Sequence, residues 1–168
     1  MGAHPYFYFT PYQEDIHAAL QALREQEFRA GRYDPALSMA TPPTFTFQLR
    51  FPPDETWPRP GAQHASIDAA MEAADASGTG SILDIAQILP GPDYCAACAL
   101  PDDTLVALFG TSQPGRNLLA DVLIKNMSPA PGPVDEFWDS IDRGQARYIV
   151  VYADGRPSEI FFVGYSFD

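Results

Sequence analysis

Apolar and polar positions alternate most clearly in the last stretch of the chain, Arg147–Asp168, which reads RYIVVYADGRPSEIFFVGYSFD. Two runs rich in β-branched and aromatic residues flank Asp154-Gly155, the dipeptide that supplies the two positive φ angles of a type I′ turn. A two-residue loop fixes the register. Ala153 faces Arg156, Tyr152 faces Pro157, Val151 faces Ser158, Val150 faces Glu159 and Ile149 faces Ile160. One face then carries Tyr148, Val150, Tyr152, Glu159, Phe161, Val163 and Tyr165. Ile149, Val151, Ile160 and Phe162 lie on the other. A hairpin apolar on both faces belongs inside a fold, covered on both sides.

Earlier segments follow the same logic. Tyr6–Phe9 is a short aromatic strand. Thr10 as N-cap, Pro11 at N1 and Gln13 at N3 make a capping box for a helix carrying Tyr12, Ile16, Ala19, Leu20 and Leu23 inward, and Gly31 stops it. Thr44–Phe51 alternates with period two and predicts a half-buried strand, stopped by Pro52-Pro53. The loop Asp54–Gly61 follows it. Ser66 caps a second helix, Ile67–Ala76. Ser81–Leu89 fits either a strand or a helix face, and Tyr94–Leu100 reads as a strand. Helices are expected over Pro101–Phe109, Arg116–Asn126 and Pro133–Arg143, the last with Val134, Phe137, Trp138 and Ile141 on one stripe. The expectation is an α+β fold, with an antiparallel sheet containing the C-terminal hairpin (about 147–166) and about five helices over it.

Composition narrows the class. A chain of 168 residues, 46% hydrophobic and 12% aromatic, is expected to fold as a single domain spanning residues 1–168. Two cysteines make no disulfide framework and suggest a reducing compartment. The N-terminus lacks the basic and apolar regions of a signal peptide, and no apolar run approaches membrane-spanning length. A cytoplasmic location is the expectation. Nine arginines against one lysine fit the coding bias of a GC-rich bacterial genome.

Net charge changes the picture most. At −12, with Lys125 the single lysine, the chain lacks the cationic footprint that a phosphate backbone requires. The acidity serves solubility or attracts a basic partner.

Candidate chemistry is sparse. Cys95-Ala96-Ala97-Cys98 is half a zinc site at most, and a strand there would send its thiols to opposite faces. Glu14 and His17 are three apart but face away from the apolar stripe of their helix. No phosphate-binding or nucleophile-elbow motif is present. No metal or cofactor is expected. Glu159 stands out among aromatic neighbours, and Tyr148, Tyr152, Tyr165 and Trp57 are its candidate companions in a ligand- or partner-binding cleft. Two functional expectations follow. The first is a non-enzymatic protein-binding or inhibitory module, comparable with small immunity proteins in size and charge, whose acidic surface meets a basic protein. The second is a small metal-independent enzyme or ligand-binding protein built around Glu159.

Overall fold

In the computed structural model, which describes residues 4–40, 59–125 and 132–167, the N-terminal aromatic run is strand β1 (Pro5–Pro11). It is followed by helix α1 (Ile16–Ala30), the short α2 (Ala36–Ala40), α3 (Ile67–Ala74) and a two-residue strand β2 (Gln87–Ile88). Strand β3 (Ala96–Ala99) leads into α4 (Asp102–Phe109). Helix α5 (Arg116–Leu119) runs on as a π-helical segment, Ala120–Lys125, and α6 (Pro133–Asp139) precedes β4 (Gln145–Ala153) and β5 (Arg156–Tyr165). Trp57 and the expected strand Thr44–Phe51 lie outside the described residues.

The strands form one sheet in the order β1-β5-β4-β3-β2. Its β1, β5 and β4 are antiparallel, the β4–β5 hairpin as the sequence pattern implies, but β3 lies parallel to β4 and β2 parallel to β3. The sheet is therefore mixed rather than antiparallel. The reason is connectivity: between β3 and β4 the chain runs through α4, α5 and α6, a crossover long enough to return it in the same direction.

Both faces of the sheet are covered. On one, α1, α3 and residues 82–85 pack on Tyr6, Tyr8, Ala97, Ala146, Ile160 and Phe162. On the other, α4, α5 with its π segment, and α6 pack on Phe7, Ile149, Val151, Phe161 and Val163. This is the two-sided burial expected of β4 and β5.

Local chemistry explains most boundaries. Gly31 and Gly110 close α1 and α4 in the left-handed conformation, and Asp154 and Gly155 take φ of 51° and 71° at the hairpin tip. Ser66 caps α3, its side chain accepting from the Ala69 N–H. The start of α1 differs from the expected capping box. Thr10 and Pro11 extend β1, opposite Ile160 and Glu159, and Asp15 is the N-cap, accepting from the Ala18 N–H at 3.0 Å. Pairing along β5 outweighs the local capping signal, and a second capping residue five positions on makes the change inexpensive. The ambiguous Ser81–Leu89 divides into a 3₁₀ turn, Ile82–Asp84, and β2. Helix α6 ends at Asp139, earlier than the pattern implied, with Ser140 as its C-cap. No helix among the described residues is long and apolar enough to cross a membrane.

Candidate functional site

The hairpin begins in the expected register, with Ala153 opposite Arg156 and Tyr152 opposite Pro157. A β-bulge then intervenes. Val151 pairs with Glu159, Val150 with Ile160 and Ile149 with Phe161, one position away from the expected alignment. Ser158 is the extra residue. Its hydroxyl donates to the Val151 carbonyl at 3.1 Å, and its carbonyl accepts from the Tyr12 N–H of the β1 side at 3.1 Å. A one-residue slip exchanges the faces of a strand. Glu159 accordingly shares its face with Val151, Ile149 and Phe161, while Tyr148 packs with Phe162 on the α1 side.

The proposed companions are thus distributed. Tyr148 lies beside Phe162, and burial, then the neighbouring Cys98, raises its pKa. Tyr165 sits at the far end of β5, edge-on to Trp138 with ring centroids 5.5 Å apart, and burial followed by Asp139 raises its pKa. Tyr152 is half-buried near the tip, its N–H donating to the Pro114 carbonyl at 3.0 Å. Glu159 forms an ion pair with Arg116, whose guanidinium stacks over the Phe9 ring at 4.1 Å. The carboxylate is engaged at the end of an aromatic-cationic stack, not set among tyrosines.

A groove of about 430 Å³ opens between α4 and α6. Leu100, Ala107, Leu108 and Phe137 give it apolar walls, Asp103 and Glu136 line it, and Arg147 of β4 also faces it. Both helices begin with acidic turns, Asp102-Asp103 and Asp135-Glu136, where the helix dipole favours negative charge. All four carboxylates are exposed, and none is in an ion pair among the described residues. Arg147 is only 5% exposed. It donates to the carbonyls of Ser140 at 2.6 Å and Ala146 at 3.1 Å, and to the Gln145 side chain at 3.5 Å. Helices α4 and α6 are each apparent from local pattern, but their juxtaposition depends on the parallel β3–β4 pairing. A signal was present in Arg147 itself, an arginine inside an otherwise apolar strand.

A second polar constellation lies under α1. Glu27 and Arg32 form a buried ion pair, with Arg32 Nε 2.8 Å from Glu27 Oε2. Arg24 donates to the Leu83 carbonyl at 3.1 Å, and burial lowers its pKa. Asp84 accepts from both the N–H and the hydroxyl of Thr79 at 2.7 Å, and the Tyr33 hydroxyl lies 2.8 Å from His64 Nδ1. Arg24 ties α1 to the 78–84 segment, and Tyr33 joins the residues after α1 to those before α3. These two bonds pair groups far apart in sequence, which no local pattern announces, whereas Glu27–Arg32 and Thr79–Asp84 are local pairs.

Cys95 precedes β3 with φ of 57°, so the two cysteines do not belong to one strand as expected. Both are free thiols, and burial, followed by the charge of Asp84, raises the Cys95 pKa. That environment favours the unreactive thiol form. Among the described residues no group of three or more His, Cys, Asp or Glu is arranged to hold a metal ion.

No family model, curated protein or solved structure matches the chain.

Proposed function

We propose that this protein is a non-enzymatic binding module that engages a basic protein partner through the α4–α6 groove. The observation that supports this reading is the combination of apolar walls with four exposed carboxylates at the two helix starts. Apolar surface supplies contact area, and a rim of one charge selects a partner segment of the opposite charge and steers its approach. The occupant that fits is an apolar segment carrying lysine or arginine. The net charge of −12 extends the same bias over the whole molecule.

The enzyme alternative has less to stand on, because Glu159 is committed to Arg116 and separated by a face of the sheet from Tyr148.

The test is to identify bound proteins by mass spectrometry after capture on wild-type protein and on a variant with Asp102→Asn, Asp103→Asn, Asp135→Asn and Glu136→Gln. A basic partner held by wild type and lost by the variant supports the proposal. Retention of the same proteins by both defeats it.

A further inference from the structure

Arg147 is held by fewer acceptors than it has donors. A guanidinium carries five N–H groups. Three are used: Nη2 donates to Ser140 O, and Nη1 donates to Ala146 O and to the Gln145 side chain. The Nε–H and one of the two Nη2–H groups have no acceptor among the described residues. All three acceptors are neutral, and no described carboxylate is in ion-pair contact with this cation, even though Asp103 and Glu136 line the same groove. A charge only 5% exposed and without a counter-ion is costly in a protein interior. A guanidinium with spare N–H donors is the group that takes a carboxylate in charge-assisted hydrogen bonds.

The groove places three kinds of surface together. Arg147 offers a buried cation, Leu100, Leu108 and Phe137 offer apolar walls, and Asp103 and Glu136 offer negative charge nearer solvent. A ligand complementary to all three has a carboxylate, an apolar body and a positive charge.

We propose that the α4–α6 groove binds the C-terminus of a peptide chain, with Arg147 holding the terminal carboxylate, an apolar last side chain against Leu108 and Phe137, and a basic residue just before it facing Asp103 and Glu136. This rests on the reading of the groove as a partner-binding site and adds which part of the partner enters it. It also accounts for an arginine in a strand position that a hydrophobic residue would otherwise fill. Free carboxylates of small molecules share the anchoring chemistry, and the experiment separates them from a chain end.

The experiment is an NMR titration of the full-length protein, isotopically labelled so that backbone amides and arginine Nε–H groups are observed. The probes are N-acetyl-Ala-Lys-Leu with a free carboxylate, the same peptide as its C-terminal amide, and hexanoate. The expected result is a saturable shift of the Arg147 Nε–H and of amides in α4 and α6 with the free acid. The amide and hexanoate should bind at least about tenfold more weakly, a loss matching one charge-assisted contact. Arg147→Lys, checked for folding by its amide spectrum, should weaken the free acid about tenfold while leaving the amide unchanged. Glu136→Gln should weaken the lysine peptide but not N-acetyl-Ala-Ala-Leu.

An unmoved Arg147 Nε–H at about 10 mM free acid, a concentration that detects even weak millimolar binding, overturns the proposal. So does equal binding of acid and amide. Hexanoate binding as tightly as the peptide removes the chain-end assignment. Equal binding of acid and amide together with weakening by Glu136→Gln would leave the acidic-rim reading intact, so the two proposals fail by different results.

Discussion

Glu159 and Arg116 show how a residue that looks exceptional in sequence becomes ordinary in three dimensions. Their side chains are 26% and 56% exposed, so water screens the ion pair. Glu159→Gln is expected to cost no more than about 1 kcal/mol in urea denaturation, the upper range for an exposed pair. Arg116→Ala should cost more than Glu159→Gln, because it also removes the stack on Phe9. The buried pair behaves differently. Glu27→Gln removes a buried charge partner of Arg32, and a larger loss than that of Glu159→Gln is expected in the same measurement. Tyr6 and Tyr8 set a limit at high pH. Burial is the main cause holding both phenols well above their ordinary value near 10, with nearby Asp84 adding for Tyr6 and Glu27 for Tyr8. The unfolded chain therefore loses these protons first. Stability is unaffected by them below about pH 10 and falls as pH rises toward the folded-state values. Urea midpoints measured from pH 8 to pH 11 should decline above about 10, and a Tyr6→Phe, Tyr8→Phe double variant should decline less steeply.

At the scale of elements, the legible features were those fixed by a few neighbouring residues. The Asp154-Gly155 turn, the Gly31 and Gly110 stops and the Ser66 cap each follow from local backbone chemistry. The Ser158 bulge was not legible, because it answers to partners on both sides of β5, Val151 and Tyr12. That single residue moved Glu159 away from Tyr148 and with it the expected cleft. The groove was hidden for a related reason. Its two helices were apparent, but the pairing of Ala97 with Ala146 that sets them side by side joins distant segments. Gly164 tests how tightly the strands meet. A Cβ there would lie 2.5 Å from the Gln145 carbonyl oxygen, 2.9 Å from Ala146 Cβ and 3.0 Å from the Tyr6 hydroxyl. Backbone cannot yield as a flexible side chain does, so Gly164→Ala should destabilise by about 1–3 kcal/mol or more, read from the shift in thermal or urea midpoint.

For the whole molecule, the net charge of −12 makes a testable statement about encounter. If a basic partner enters the α4–α6 groove, its association rate should fall at least several-fold between about 0.01 M and 0.15 M ionic strength, as the screening length shrinks from roughly 30 to 8 Å. Stopped-flow mixing with the identified partner would measure this, and a rate independent of salt would restrict the acidity to a solubility role. The sheet order has a consequence for how the molecule comes into being. Pro5 pairs with Tyr165, and the His4 N–H donates to Ser166 Oγ across a separation of 162 residues. During synthesis, β1 leaves the ribosome before β5, its neighbour among the described strands, and waits for it while every element between them is made. Helix α1 can form in the meantime, but the tyrosines it covers have no sheet to belong to. The nascent chain thus carries an aromatic strand, YFYF, without its β5 partner until the intervening elements have been made, the interval in which a chaperone would be of most use to it.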